Sequence, residues 1–471
     1  MTNGLPEVPP AGVTVGEDGL GLPAPAPSLA RNSAARFFAD GMGLASSLVA
    51  SIITARALGP GGKGLFSTLT FLSAMVIHLF SAGLGDAAIV LVGQRKATLQ
   101  RALSSTLAAG LCAAVLGMAV LWLASVVAFR EDWAAMRVPA LISCLGLPVF
   151  LCAYHLSYLL SAQERIAASS AVLTTMNAFT TVGLWLFMVG LGLSITGGAL
   201  AGLLGAGFAL VLAGALVRRA KLSLRPRWDT TYIAAALRYG PAVAASYLVS
   251  IMLQRADLLL VYALAGSRPA GHYSVGLTIA SLVALLPLAI STATFPRIAK
   301  LADDEAVELA VRACRLGLAA AAAGSVVMTA VTPIAVPLLF GRAFLPAVGP
   351  TLVLVPSGFL WSAQWLLCRA WAARGHPSLL MASFGASLAL MVGLDLVAIP
   401  GFGIMGAAVV SVVAPAVGVA ICFRTYRRSP TWPSGVAAFL PRREDFAAVG
   451  AEALRLARRN DISAAPPDRP S

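Results

Sequence analysis

Along most of this chain the apolar residues run in long unbroken stretches. The segments 111–129 and 200–217 contain no charged side chain, no polar–apolar alternation of the kind a half-buried strand needs, and no polar stripe such as a surface helix shows. A helix needs about 20 mostly apolar residues to cross a hydrocarbon layer roughly 30 Å thick, and the chain supplies many such runs. A transmembrane barrel would show segments of about 10 residues with alternating polarity instead. Cut at charged or turn-rich points, the pattern predicts twelve spanning helices, approximately over 36–57, 65–91, 102–128, 137–161, 167–191, 197–217, 236–264, 271–296, 309–339, 347–372, 377–399 and 404–425. The connections are short, which leaves no room for a large soluble domain. The expected fold class is all-α integral membrane.

Composition agrees with that pattern: 58% of the 471 residues are hydrophobic and 11% charged, against about 25% charged in soluble domains. The net charge of +14 would suggest a nucleic-acid partner if it formed one soluble patch. It is spread over short loops between apolar runs, a pattern that reports membrane orientation and implies no nucleic acid. With the N-terminus inside, 27 of the 34 lysines and arginines fall on the inner side and six on the outer, and Arg255 alone lies within a span. Both termini are therefore expected in the cytoplasm, and the protein in the bacterial cytoplasmic membrane. The six cysteines sit in apolar stretches without C-x-x-C spacing and read as small buried hydrophobes. No cofactor and no metal are implied.

Two segments recur at a nearly constant offset. Leu58-Gly59 with Gly64-Leu65-Phe66-Ser67 matches Ala265-Gly266 with Gly271-His272-Tyr273-Ser274, and the run Gly192–Ala199 matches Gly401–Ala408. Two six-helix halves follow, and because six is even the repeat is parallel. The expected organisation is a disordered cytoplasmic tail over 1–34, an N-lobe over 35–217, a basic cytoplasmic linker over 218–235, a C-lobe over 236–426 and a basic tail over 427–471. In that last tail Phe446, Val449, Ala453 and Leu456 can form one helical stripe, suited either to anionic headgroups or to plain solvation.

An ionisable side chain near the bilayer centre costs at least about 2.5–3.5 kcal/mol on insertion scales, so those retained usually face a cavity or a partner. The candidates are Asp40, Asp86, His78, His155, Arg255, Asp257, Arg369 and Asp395. Arg255 lies too deep in the seventh helix to reach the surface, which leaves a cavity or a structural ion pair open. Asp257, two residues on and about 200° around the helix, is expected on another face.

The motifs Ala55-Arg56-Ala57-Leu58-Gly59-Pro60, Arg238-Tyr239-Gly240-Pro241, Arg255-Ala256-Asp257, Gly271-His272-Tyr273-Ser274, Phe295-Pro296-Arg297, Leu339-Phe340-Gly341 and Gly403-Ile404-Met405-Gly406 resemble, in order and spacing, the Wzx-like oligosaccharide flippases of polysaccharide biosynthesis. These belong to the multidrug/oligosaccharidyl-lipid/polysaccharide exporter superfamily, and the likeness covers about residues 31–426. It implies translocation of a polyprenyl-diphosphate-linked oligosaccharide by alternating access between two lobes, driven by an ion gradient. Glycosyltransferases and a polysaccharide polymerase are the protein partners implied, beside membrane lipid. For such an anionic, polar cargo the expected cavity residues are Arg255, Arg56, Asp257, Gln254 and His78, with arginine suited to phosphate oxygens. Asp40 and Asp86, at similar depth on adjacent helices, are the expected ion-coupling pair. Competing readings are an ion-coupled drug exporter of the same superfamily, a lipid II flippase, and a membrane polymerase or glycosyltransferase. The enzyme reading lacks the sizeable outer loop it needs, and no G-x-x-x-x-G-K-[ST] signature supports direct ATP drive.

Overall fold

The computed structural model describes residues 29–81, 83–298, 301, 303–373, 378–428, 436–439 and 442. Within them the chain is helical, with no strand. The helices are α1 (Leu29–Ser81), α2 (Leu84–Gly93), α3 (Leu99–Ala128), α4 (Trp133–Ala162), α5 (Ile166–Leu184), α6 (Ser194–Arg219), α7 (Thr230–Ala265), α8 (Ser267–Leu282), α9 (Leu285–Ile298), α10 (Asp303–Ala335), α11 (Val348–Ala372) and α12 (Ser378–Arg427). Wider π-helical turns, Trp185–Gly190 and Val336–Phe340, follow α5 and α10.

At 53 and 50 residues, α1 and α12 are too long for one crossing; straight, each would reach about 75–80 Å. Both fold back at a glycine. Gly59 (φ 65°, ψ −178°) breaks α1, and Lys63 Nζ beyond it donates to Ser51 Oγ at 3.1 Å and Thr54 Oγ1 at 2.8 Å. In a straight helix those atoms would lie roughly 14–18 Å off. Gly403 (φ 58°) breaks α12, so that Ser383 Oγ donates to the Gly418 carbonyl at 3.0 Å. Among the described residues nine helices are long and apolar enough to cross a membrane, or ten if the α8–α9 pair, bent by 46°, is one span. Dividing α1 and α12 at their glycines brings this to the twelve expected.

Two spans expected to be continuous are broken. The second, over 65–91, is interrupted before α2 at Gly83, which adopts φ 64° and abuts the backbone of Gly240, where no side chain fits. The eighth, over 271–296, is the bent α8–α9 pair.

The internal repeat is written in the backbone. Gly266 (φ 92°, ψ −178°) ends α7 as Gly59 divides α1, and Ser194 (φ 50°) opens α6 where Gly403 turns α12. The two glycine turns meet directly: a methyl on Gly64 would collide with the Ser267 carbonyl, and one on Gly271 with the Pro60 carbonyl.

An even number of crossings puts Leu29 and Arg427 on one face, here the terminal face; the opposite face is the distal one. In the distal half the two six-helix lobes share one core, which joins Leu69, Leu121 and Leu147 to Leu258, Tyr273 and Leu354. In the terminal half the cores are separate: Leu103, Leu160 and Val217 belong to one, Leu367, Phe384 and Tyr426 to the other. The lobes thus share a core distally and keep separate cores towards the terminal face. Arg56 reinforces that distal join, donating from Nε and Nη2 to the carbonyls of Leu339 and Leu338 at 2.7 and 2.5 Å. Tyr262 does the same through its hydroxyl to Asp132, at 2.8 Å.

Between α6 and α7 the segment 222–229 is extended and fastened to the first turns of α3. Gln100 exchanges two hydrogen bonds with the backbone of Ser223, and the Arg227 N–H donates to the Ser104 carbonyl at 3.1 Å. Arg101 grips Asp229 through Nε and Nη2 at 2.6 and 2.9 Å. That grip, with the Tyr232 N–H as second donor, holds the Asp229 carboxyl down to about 2. Residues 1–28 and the stripe around Phe446, Val449, Ala453 and Leu456 lie outside the described residues; within the expected tail over 1–34, α1 has already begun at Leu29.

Candidate functional site

Between the two arms of α1 and the facing sides of α7 and α8 lies a chamber of about 390 Å³. Its polar wall is made by Ser47, Ser51, Thr54, Lys63, Ser67, Thr70, His78, Gln254, Arg255, Ser274 and Thr278, and no carboxylate among the described residues lines it. The serines and threonines of α1 recur at helical spacing, which turns one polar stripe of an otherwise apolar helix towards the chamber. Lys63 corrects the reading of 59–64 as an outer loop. Helix resumes at Pro60, whose fixed φ and missing N–H suit a first turn, and this points Lys63 back along α1 until only 5% of it is exposed. Ser51 also pairs with Thr278 across the lobes at 3.2 Å. Among the described residues the Arg255 guanidinium has no hydrogen bond or ion pair, so one cation in this wall is held by hydroxyls and the other is free.

A smaller cavity of about 140 Å³ shares Gln254 and Arg255 with the chamber and adds Asp257, Trp361 and Ser411. A third, of about 470 Å³, lies within the N-lobe; it shares Phe66, Thr70 and His78 with the chamber and is otherwise mostly apolar, apart from Ser73, Ser143, Tyr154, Asn177 and Thr180. His78 stands between the two, its ring edge-on to Tyr154 at 6.1 Å.

Behind Arg255 sits a carboxylate cluster. Asp257, 1% exposed, accepts from the Tyr273 hydroxyl at 2.6 Å, the Ser411 hydroxyl at 2.8 Å and the Leu258 N–H at 2.8 Å. Asp395, fully buried on the first arm of α12, has two oxygens without a hydrogen-bond partner among the described residues and lies within electrostatic reach of Asp257. Asp257 is also within electrostatic reach of Arg255, whereas a carboxyl buried without a partner, as Asp395 is, favours a proton or a small cation.

Residues 53–349, more than half of the chain, match the family model described as "Polysaccharide biosynthesis protein". The chain belongs to that family. No curated protein matches it in sequence. Its fold is similar to that of an inward-facing MATE multidrug resistance transporter of the MOP superfamily (TM-score 0.67, 15% identity, 83% of this chain and 98% of that one). It is also similar to the lipid II flippase MurJ in an inward closed conformation (TM-score 0.66, 13% identity, 93% and 94% covered), and to a MATE transporter of Vibrio cholerae (TM-score 0.61, 12% identity, 86% and 98%). At these identities the likeness establishes the fold. Family and fold together make the chain a multi-spanning membrane protein of polysaccharide biosynthesis whose fold is that of a MATE drug exporter and a lipid II flippase.

In this polysaccharide-biosynthesis protein the site residues expected from the sequence divide. Arg255, Gln254 and His78 line the chamber. Asp257 lines the smaller cavity, which Arg255 and Gln254 line as well, and does not reach the chamber. Arg56 lines neither, its guanidinium being engaged by the carbonyls beyond α10. Asp86, half-buried on α2, faces Tyr158 rather than the chamber, and the side chain of Asp40 lies outside those described. Sequence reasoning missed Lys63 as a wall residue and Asp395 as the neighbour of Asp257. Pro60 at a helix start was the available signal for the first; the second needs the α7–α12 packing and had none.

Proposed function

We propose that this chain is a flippase that carries a polyprenyl-diphosphate-linked oligosaccharide from the cytoplasmic to the outer leaflet of the bacterial cytoplasmic membrane, with the diphosphate held by Arg255 and Lys63. The observation that carries the reading is the sign of the chamber: two cations, hydroxyls and an amide in its wall, and no carboxylate among the described residues. Burying cations without a counter-charge is costly, and an anionic headgroup relieves that cost. The planar guanidinium offers paired N–H donors to phosphate oxygens, and the ammonium adds a point charge. A cationic drug would meet the same wall as repulsion, which disfavours the multidrug reading.

Entry is from the terminal half, where the lobes keep separate cores, and the bias of basic residues favours a cytoplasmic side for that face. The distal seal would have to open, and the terminal halves close, for release. The apolar tail stays in lipid while the head passes between the lobes. The Asp257–Asp395 cluster, in place of Asp40 and Asp86, is where a proton or small cation would couple to that exchange.

The test is Arg255→Ala in cells and in proteoliposomes. Membrane insertion should be unchanged and export of the surface glycan lost, while Arg255→Lys keeps part of it. Full complementation by the alanine variant would refute the assignment.

A further inference from the structure

The N-lobe cavity of about 470 Å³ is larger than the chamber it adjoins, and the diphosphate site makes no use of it. The two spaces meet along one stripe of the second arm of α1, where Phe66, Thr70, Ala74 and His78, four residues apart, line both. A ligand held by Arg255 and Lys63 therefore lies next to this cavity. Beyond the stripe the wall is built by α4, α5 and α6 and has two parts. Most of it is carbon and includes the rings of Phe150 and Tyr154, which lie 24° from parallel with centroids at 6.5 Å. The other part is a set of hydrogen-bonding side chains, His78 on α1, Ser143 on α4, and Asn177 and Thr180 on α5. These four are half-buried, and their side chains have no hydrogen bond among the described residues. Gly202 on α6 also lines the cavity, and a Cβ there would meet nothing within 4 Å.

We infer that this cavity seats the phosphate-linked sugar of the cargo and selects one that carries an acetamido group. The inference rests on the flippase reading and deepens it by naming a sugar class. In a glycosyl diphosphate the sugar is bonded directly to the phosphate, so seating it beside the chamber needs no spacer. An apolar pocket with a few convergent polar groups takes a carbon-rich ligand and orients it through those groups. An acetamido pyranose matches both parts of the wall. Its methyl group and carbon-bound hydrogens suit the carbon surface and the negative faces of the rings, and its hydroxyls suit Ser143, Thr180 and His78. Asn177 carries both an amide donor and an amide acceptor, the complement of the acetamido N–H and carbonyl. A fully hydroxylated hexose would press one more hydroxyl against carbon, at a cost in affinity. An isoprenoid tail would leave the four polar side chains unpaired, and a cationic drug would find no carboxylate in this wall among the described residues.

Three probes test this with the full chain in lipid nanodiscs: farnesyl diphosphate and its conjugates with N-acetylglucosamine and with glucose. The acetamido conjugate should bind about tenfold tighter than farnesyl diphosphate, the worth of one or two net hydrogen bonds. The glucose conjugate should stay within about threefold of farnesyl diphosphate. Asn177→Leu and Gly202→Leu should each erase the tenfold gain and leave the affinity for farnesyl diphosphate unchanged, which also shows that the variants fold. Arg255→Ala should weaken all three probes alike. A gain that survives both leucine variants, or no gain in the unaltered protein, overturns the sugar seat and leaves the diphosphate site standing. Equal gains from the two sugars overturn the acetamido selection. Loss of farnesyl diphosphate affinity in Gly202→Leu without any sugar-dependent gain overturns the seat as well, because the cavity then takes the tail. A gain that both leucine variants erase, with no response to Arg255→Ala, upholds the seat and sinks the diphosphate reading. A protein that binds none of the three overturns both.

Discussion

Arg255 and Asp257 are two residues apart on α7, yet they serve two surroundings of opposite chemistry. Arg255 looks into a chamber with room for a head group, keeps its donors free, and shares the wall with a second cation, Lys63. Asp257 lines only the smaller cavity that Arg255 also borders, its acceptors filled by Tyr273, Ser411 and a backbone N–H, with the partnerless Asp395 within electrostatic reach. The open cationic space suits a large anion, and the closed anionic cluster suits something no bigger than a proton or a bare cation. Placing both on one helix gives a direct mechanical link, since a shift of α7 that serves one site is felt at the other.

The contrast can be broken most severely at the closed cluster. Asp257→Ala would leave the Tyr273 and Ser411 hydroxyls, which also pair with each other at 2.9 Å, with one donor unmet at about 1–3 kcal/mol; the variant should melt earlier and transport nothing. Asp395→Asn tests charge without loss of shape. It should keep the melting temperature and lose the response of transport to an imposed ion gradient, and unchanged gradient dependence would remove the cluster from coupling. Next comes Lys63→Met in the chamber. A charge-assisted contact is worth about 1.5–3 kcal/mol, so affinity for a diphosphate lipid should fall roughly tenfold to a hundredfold with no loss of thermal stability. If Lys63→Met lowered stability and left affinity alone, Lys63 would be a strut for Ser51 and Thr54 and no more.

A smaller effect is expected at the distal seal. Arg56→Ala removes two exposed bonds worth at most about 1 kcal/mol together. It should raise the rate at which an impermeant thiol reagent reaches a cysteine placed at Ser67 from the distal side, without changing diphosphate affinity. The smallest effect is at Asp229, far from both sites. Its carboxyl is held down to about 2 by Arg101, below the ordinary value of about 3.9. A depressed carboxylate contributes its stability above the unfolded value and loses it as pH falls through the folded one. Asp229→Asn should therefore lower the melting temperature slightly near neutral pH, converge with the unaltered protein below about pH 2, and leave transport intact throughout.

Much of this architecture was legible from apolar run lengths, because lipid forces each span to satisfy its own backbone. The twelve crossings and the Gly59/Gly266 correspondence came through in that way. The breaks at Gly83 and within α8–α9 did not, since hydropathy averages over a kink. Arg255, Gln254 and His78 could be found as polar residues at membrane depth. Arg56 was misplaced because a motif says nothing of which carbonyls an arginine will reach. The meeting of Asp257 with Asp395 depends on how α7 packs against α12, and no local pattern encodes it.

The strap over 222–229 has a consequence for movement. Because it is stapled to α3, and because Tyr232, Ile233 and Ala236 are buried in the N-lobe core, the first turns of α7 belong with one lobe, whereas Leu253 and Ala256 are buried in the core of the other. The swivel between the lobes cannot then sit in the connecting segment. It falls inside α7 itself, where Gly240 offers no side chain to resist and Pro241 has no N–H to break. For the proposed flippase this makes α7 the axle: stiffening Gly240–Pro241 should block transport while every binding residue stays in place.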